Sequence, residues 1–191
     1  MAKGMYHYIK NAWKKPDKER LRELMTKWRS ENRILKVEKP IRLDKARALG
    51  YKAKKGFVVA RVRIQRGGRK RATKPVKGRK SRKQSNKLVL KMNYRWVAEQ
   101  RAQKKFLNLE VLNSYLVGKD GLHYFFEVIL VDPEMPEIKN DRTINWIASS
   151  KNRKRVERGL TSAGKKSRGL RSKSPTLKVR PSLRAWHRRG K

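Results

Sequence analysis

FVVARVRIQRGGRKRATKPVKGRKSRKQSNKLVLK, residues 57–91, is the stretch around which the fold of this chain is organised. It opens with apolar residues at every second position from Val58 to Ile64, and this period of two predicts a β-strand. From Arg61 onward it carries fourteen Lys or Arg residues and no acid. Because few apolar side chains accompany these charges, we predict a basic loop at about 65–87 that becomes ordered only on a polyanion.

The charge of the whole chain restricts its partners. It has 191 residues, with 55 Lys or Arg and 15 Asp or Glu, which gives a formal net charge of +40. Such self-repulsion calls for a partner that supplies negative charge, and nucleic acid is the leading candidate. An acidic membrane is the weaker alternative, because we find neither a membrane-surface helix nor an apolar run of about 20 residues. The N-terminal sequence lacks the apolar core of a signal peptide, so we expect a cytoplasmic protein.

The acidic residues divide the chain into a body and basic extensions. Six acids lie within Asp17–Asp44 and nine within Glu99–Glu157, whereas the rest of the chain has none. We therefore predict one globular body over residues 1–150, with N-terminal helices and the inserted basic loop. Residues 151–191 are predicted to form a basic, extended tail.

Several helices are predicted around the strand. Apolar residues at helical spacing predict one helix over residues 3–13 and another that starts at Pro16-Asp17, and we interpret both apolar stripes as core. Asp44 and Gly50 can cap and close a short helix between them. A longer helix, with an asparagine as its capping residue, is predicted over residues 93–106.

The sequence LEVLNSYLVGKDGLHYFFEVILVD, residues 109–132, predicts a β-hairpin. We place its turn at Gly118–Gly121, where Gly121 would supply the positive dihedral that such turns favour. Apolar residues alternate on both faces of Tyr124–Val131, which indicates a central strand covered on both sides. Further along, Asp141 could cap another helix.

No catalytic or metal site is predicted. His7, His123 and His187 are far apart and lack the spacing of metal ligands. The absence of cysteine excludes disulfides, thiolate zinc sites and thiol catalysis. Gly67-Gly68 is not followed by the helix that a dinucleotide-binding motif needs, so we interpret it as a sharp turn that lets the backbone approach a phosphate.

The acid-free stretches favour RNA over DNA. A run of charge is usually a solvated surface, but these runs are long, rich in arginine and unbalanced by acids. Arginine can pair with phosphate through two N–H groups and stack on bases. No helix-turn-helix, zinc finger or basic zipper is present, and irregular basic segments suit a folded RNA. In the tail, Trp186 and His187 could stack on unpaired bases, and Trp186 could equally pack on another protein.

Three blocks of this sequence resemble a known family. They are DKARALGYKAKKGFVVARVRIQRGGRKR (44–71), LNLEVLNSYLVGKDG with HYFFEVILVDP (107–133), and RGLTSAGKKSRGL (158–170). They are similar to the ribosomal protein fifteen-e family of archaea and eukaryotes, not to its bacterial namesake, and the resemblance covers nearly the whole chain. Only the region 74–92 and the last twenty residues match poorly. The short C-terminal end fits an archaeal member.

The resemblance implies a fold and a role. The fold is α/β (α+β), with a small antiparallel sheet, helices on both faces, and long extensions that enter ribosomal RNA. Members are structural proteins of the large subunit without a catalytic role, and they contact 23S-type ribosomal RNA and neighbouring ribosomal proteins. No cofactor is implied, and Mg²⁺ is expected only as part of the bound RNA. We expect no membrane, no small-molecule substrate and no homo-oligomer.

The predicted RNA contacts come from two sources. At positions that match the family they are Arg61, Arg63, Arg66, Gly67, Gly68, Arg69, Lys70, Arg71, Arg158, Thr161, Ser162, Lys165, Lys166, Arg168 and Arg171. The basic runs themselves add Lys74, Lys77, Arg79, Lys80, Arg82, Lys83, Arg153, Lys154, Arg155, Arg184, Trp186, Arg188 and Arg189.

Two other functions remain as alternatives at this point. An architectural protein of the nucleoid would also be small and basic, but it would bind duplex DNA and typically carry apolar wedges or a dimerising helix, which we do not find. An RNA-modifying enzyme would need a cofactor pocket lined by convergent polar groups.

Overall fold

The computed structural model describes residues 3–70, 87–88, 90 and 92–171. Its helices are α1 Met5–Ala12, α2 Lys18–Ser30, α3 Leu43–Ala48, α4 Tyr94–Lys105, α5 Pro136–Lys139 and α6 Ser162–Ser167, with 3₁₀ turns at Asn145–Ala148 and Ser150–Asn152. Its strands are β1 Ile34–Val37, β2 Phe57–Gln65, β3 Arg69–Lys70, β4 Lys87–Leu88, β5 Glu110–Lys119 and β6 His123–Val131. The predicted mixed α/β fold is confirmed.

Four of the strands form an antiparallel sheet in the order β1-β2-β6-β5. The two central strands, β2 and β6, pair from Phe57 opposite Val131 to Gln65 opposite His123. These are the strand and the second arm of the hairpin that the sequence predicted. We did not predict β1, because a four-residue edge strand is too short for a period of two to be recognised.

Helices cover both faces of the sheet, as predicted. On one face α4 packs Ala98 and Ala102 against a cluster that includes Val62 and Val128. On the other face, α2 and α3 pack against the sheet, and the ring of Trp28 lies 5.3 Å from that of Phe125. Strand β6 is therefore covered on both sides, which explains why both of its faces are apolar.

The hairpin turn differs from the prediction. Gly121 does not adopt a positive φ. Instead, the Asp120 carboxylate accepts hydrogen bonds from the backbone N–H groups of Leu122 and His123, so a side chain closes the turn. Gly118 lies inside β5, where a Cβ would stand only 3.0 Å from the sulfur of Met25.

The N-terminal helices form where predicted, but their apolar stripes are buried to different extents. On α2, whose N-cap is Asp17, the stripe ends in the buried Trp28. On α1 the interpretation as core is wrong for Met5 and Tyr8, which are 58% and 63% exposed, whereas Ile9 is half-buried and Trp13 packs against the cluster around Trp28. Periodicity identifies an apolar face, but it does not show what covers that face.

Two predicted caps need correction. Gly50 closes α3 at φ +97°, as expected, but the helix begins one residue earlier than Asp44, which lies in the first turn and is not the cap. Asp141 accepts a hydrogen bond from the backbone N–H of Thr143, yet 3₁₀ turns follow it where we predicted an α-helix. Its second oxygen is shared by Lys52 and Lys54, and these contacts hold the pKa of the Asp141 carboxyl below its ordinary value.

Candidate nucleic-acid interface

The base of the basic loop is held by one tyrosine. The Tyr94 hydroxyl lies 2.8 Å from the backbone nitrogen of Gly67 and 3.1 Å from its carbonyl oxygen, accepting from the first and donating to the second. Gly67 has φ +101°, a conformation that favours glycine, and a Cβ there would meet nothing within 4 Å. Gly67 and Gly68 are exposed, as their predicted role at a sharp turn requires.

Arg66 extends this anchor to the hairpin turn. Its guanidinium donates to the carbonyl oxygens of Asp120 at 2.7 Å and Gly121 at 3.3 Å. It also lies over the ring of Tyr124 at 5.3 Å, and Tyr124 in turn stacks on Tyr94 at 5.0 Å. The start of the basic loop is thus fixed to α4, to the turn between β5 and β6, and to β6.

A short strand pair follows this anchor. Arg69 pairs with Leu88, and Lys70 pairs with Lys87. The loop predicted at about 65–87 therefore begins as a two-residue antiparallel stem on each side. The predicted contacts Arg71, Lys74, Lys77, Arg79, Lys80, Arg82 and Lys83 lie outside the described residues.

Two arginines that we predicted to face RNA bind α2 instead. Arg61 pairs with Glu31 and lies 4.9 Å above the ring of Trp28. Arg63 donates to the backbone carbonyl oxygens of Trp28 and Arg29. Both side chains are half-buried and attach α2 to the sheet.

Residues 151–171 pack on the body, which corrects the predicted tail boundary at about 151. Val156 is fully buried on the α4 face of the sheet, and its carbonyl oxygen accepts a 2.8 Å hydrogen bond from the indole of Trp96. The glycines of this segment allow a close crossing, because a Cβ on Gly164 would lie 2.6 Å from the Cα of Gly159. The strongly basic sequence gave no sign of this docking, which depends on only a few apolar contacts.

A buried carboxylate joins this segment to α4 and β5. Glu99 is fully buried, and its two oxygens accept hydrogen bonds from the hydroxyls of Ser114 and, at 2.6 Å, Thr161. Burial raises the pKa of the Glu99 carboxyl, and the two hydroxyls together with the positive charges of Arg95 and Arg155 oppose that rise. We did not predict this group, although a lone acid beside the apolar stripe of α4 was a signal that could have been used.

Two predicted RNA contacts of this segment serve the fold. Thr161 is fully buried and also caps α6, where its hydroxyl accepts from the backbone N–H of Gly164 at 3.2 Å. Arg155 donates to the carbonyl oxygens of Val111 at 2.7 Å and Leu112 at 2.9 Å. These groups have internal partners, so we no longer count Thr161 and Arg155 as phosphate ligands.

The other predicted residues of 153–171 lie at or near the surface. Arg153, Lys154, Arg158, Lys165, Lys166 and Arg171 are exposed, and Ser162 and Arg168 are half-buried. Arg158 and Arg168 also donate to backbone carbonyls within the segment, which stiffens it. The predicted tail contacts Arg184, Trp186, Arg188 and Arg189 lie outside the described residues.

The two basic segments meet at the N-terminus of α4. Asn93 caps this helix, and its side-chain amide donates to the carbonyl oxygen of Ala163 at 2.9 Å. Its backbone N–H donates to the Oγ of Ser167 at 3.2 Å. The next residue, Tyr94, holds Gly67. Two consecutive residues therefore bring together the base of the basic loop at Gly67 and the helix α6, which are about a hundred positions apart in the sequence. We call Asn93 and Tyr94, together with the groups that they hold, the convergence point.

Within residues 3–70 and 92–171, no group of three or more His, Cys, Asp or Glu could hold a metal ion. None of the helices described is long and apolar enough to cross a membrane.

A family model and two relatives match this chain over all or nearly all of its length. Residues 4–186 match the family model Ribosomal_L15e, described as Ribosomal L15. The chain is 50% identical, over 197 aligned residues that cover all of both chains, to the large ribosomal subunit protein eL15 of Methanospirillum hungatei JF-1. It is 49% identical, again over the full length of both, to the protein of the same name from Methanocella arvoryzae.

Proposed function

Because the chain belongs to the ribosomal L15e family, we propose that it binds folded 23S-type ribosomal RNA through the basic surface around its convergence point. Membership makes it a structural constituent of the large subunit of cytoplasmic ribosomes and not an enzyme. We further propose that it acts as a single copy without a cofactor of its own, with Mg²⁺ entering only as part of the RNA.

The convergence point is the observation that supports this proposal most directly. Phosphate neutralisation is strongest where cations from separate segments act on one region, because their potentials add. Asn93 and Tyr94 fix the stem of the basic loop and α6 to the same helix end. The exposed Lys165, Lys166 and Arg171 lie on or just after α6, the helix that Asn93 joins to the base of the basic loop through its neighbour Tyr94.

The proposed mechanism is one of charge neutralisation at fixed positions. Each phosphate paired with Lys or Arg releases condensed counterions, so affinity should fall steeply as salt rises. Tyr94 holds Gly67 at the base of the loop in a fixed position. We therefore expect less conformational entropy to be lost when the loop binds RNA.

The test is the salt dependence of binding between the full chain and a 23S-type ribosomal RNA fragment. The variant Lys165→Gln/Lys166→Gln/Arg171→Gln removes three cations near the convergence point. If all three contact phosphate, the slope of log K against log salt should decrease in magnitude by about 2 to 3. Duplex DNA of equal length, added as competitor, should displace the RNA poorly.

A matched control separates position from net charge. Lys18→Gln/Arg22→Gln/Lys27→Gln removes the same charge from the exposed surface of α2, which packs on the opposite face of the sheet. The control should leave the slope within about 0.5 of the parent value. Equal losses in the two triple variants would show that only net charge matters and would overturn the proposed interface.

A further inference from the structure

We propose that the indole ring of Trp146 stacks on an unpaired base of the ribosomal RNA. Of the four tryptophans within residues 3–70 and 92–171, only Trp146 is exposed, with 40% of its surface accessible. An exposed aromatic ring of this size forgoes the stabilisation of burial, and tryptophan is enriched at binding surfaces for that reason. The inference rests on the proposed RNA-binding function, to which it adds a contact with a base.

The backbone of Trp146 is firmly anchored to the body. The residue lies in the 3₁₀ turn Asn145–Ala148, and its neighbour Ile147 is 1% exposed in an apolar cluster with Val131. The carbonyl oxygen of Trp146 accepts a hydrogen bond from the side-chain amide of Asn152. Because the turn is held in this way, little conformational entropy is lost when a base stacks on the ring.

Arg155 fixes the orientation of the ring. Its guanidinium carbon lies 5.0 Å from the centroid of the Trp146 ring, a cation–π contact. The same guanidinium donates to the carbonyl oxygens of Val111 at 2.7 Å and Leu112 at 2.9 Å, which ties it to β5. One side of the indole is therefore held by the protein, and we assign the base to the opposite side.

The charge around the ring favours RNA as its partner. Residues 134–155 contain six Lys or Arg and three acids, and Lys52 and Lys54 join them through ion pairs, so cations outnumber acids eight to three. Arg142 and Lys151 are exposed and form no ion pair within the described part of the chain. Free cations beside an aromatic ring are the combination that binds single-stranded nucleic acid, the charges contacting the backbone and the ring contacting a base. A basic protein segment would be repelled here.

The ring is also continuous with the convergence point along β5. Arg155 binds this strand at Leu112, and Arg95, in the first turn of α4, donates to the Ser114 hydroxyl at 2.8 Å. Leu112 and Ser114 are two residues apart, about 7 Å along a strand. Since β5 is an edge strand of the sheet, an RNA bound at the convergence point can extend along it to the ring.

Ultraviolet crosslinking of assembled large subunits tests this inference. Digestion with trypsin releases Trp146 in the peptide 143–151, where it is the single aromatic residue. The matched control is the peptide 96–101, whose single aromatic residue, Trp96, is half-buried and donates its indole N–H to Val156. We expect mass spectrometry to find a nucleotide adduct on the first peptide and none on the second.

Two variants locate the contact on the ring. In subunits that carry Trp146→Leu, the adduct should disappear. The nucleotide that was crosslinked should also react at least about fivefold faster with a reagent that acylates flexible 2′-hydroxyl groups, which corresponds to the lower limit for base–aromatic stacking. Trp146→Phe keeps an aromatic ring and should retain most of the protection.

Each outcome has a distinct meaning. A peptide 143–151 that carries no nucleotide, or that is joined to another protein, would overturn the inference, and this measurement needs no variant. So would an adduct or a protection that persists in Trp146→Leu subunits. An adduct on Trp146 together with an unchanged salt slope for the triple variant at Lys165, Lys166 and Arg171 would count against the proposed interface alone. A reduced slope without the adduct would count against stacking alone.

Discussion

The substitution Thr161→Val tests whether residues 151–171 belong to the folded body. The sequence suggested that Thr161 contacts RNA, whereas the structure buries it, with its hydroxyl donating to Glu99 and accepting from Gly164. Valine has nearly the same shape as threonine, so it leaves no cavity but removes both hydrogen bonds.

The expected loss of stability can be worked out from these two contacts. A hydrogen bond to a charged group contributes about 1.5–3 kcal/mol, and loss of a helix N-cap costs about 1 kcal/mol. Because the two share one hydroxyl, they are not fully additive, and we expect about 3 kcal/mol. With a denaturant slope of about 2 kcal/mol per molar, the urea midpoint should fall by about 1.5 M.

The assay is urea unfolding of the isolated protein, followed by tryptophan fluorescence. Trp96 is a local reporter because its indole donates to Val156 in the docked segment. Thr161→Ser keeps the hydroxyl and should lose only about 1 kcal/mol, the contribution of one methyl group. Ser162→Ala, at the half-buried neighbour, should stay within about 0.5 kcal/mol of the parent. If Thr161→Val unfolds at the parent midpoint and yet binds RNA more weakly, the segment is an RNA contact and our reasoning is wrong.

Two further predictions concern the same region. Burial raises the pKa of Glu99 above the unfolded value of about 4.3, so the folded protein keeps this proton to higher pH than the unfolded chain does. The free energy of unfolding should therefore fall as pH rises from about 4.3 to the folded pKa, and then level off. In urea titrations between pH 4 and 8, Glu99→Gln should reduce this fall in stability without abolishing it, because burial also raises the pKa of Glu127. A pH profile identical to that of the parent protein would contradict the raised pKa of Glu99. Gly164→Ala should destabilise the protein by about 2–3 kcal/mol, although alanine normally favours helices, because its Cβ would meet the backbone of Gly159 at 2.6 Å. Gly121→Ala, in open space, is the control for thermal melting and should be neutral, and equal melting temperatures for the two variants would refute the close crossing.

The central part of the fold could be predicted because its elements show a regular spacing of apolar residues along the sequence. β2, α4 and the β5–β6 hairpin each carry a clear pattern of apolar residues, and the asparagine before α4 caps it as expected. Apolar residues on both faces of β6 correctly indicated two covering layers. Such patterns are reliable where an element is long and buried.

Residues 151–171 could not be recognised because their docking depends on contacts distant in sequence. The segment has two buried aliphatic side chains, those of Val156 and Ala163, and a hydroxyl that meets a carboxylate 62 positions earlier. Two glycines contribute by lacking side chains, which no measure of hydrophobicity registers. Composition therefore described an extended tail where the chain is folded.

The positions of some candidate residues in the fold could be predicted, but their partners could not. Arg66 and the glycines after it occupy an exposed loop base, as the residues suggested. Arg61 and Arg63 occupy the same strand end, but alternation placed them on the face that α2 covers. Sequence showed which segments are cationic, whereas the tertiary partner of each arginine depended on neighbouring elements.

The contact between Val156 and Trp96 also bears on how the protein is made. The ribosome synthesises α4 and the whole sheet before residue 156 exists, so a nascent body leaves the indole N–H of Trp96 and the carboxylate of Glu99 without their later partners. Until residue 161 has emerged, that face of α4 is open to water and to other chains. We therefore expect residues 156–161 to dock last, after α4 and the sheet have been synthesised.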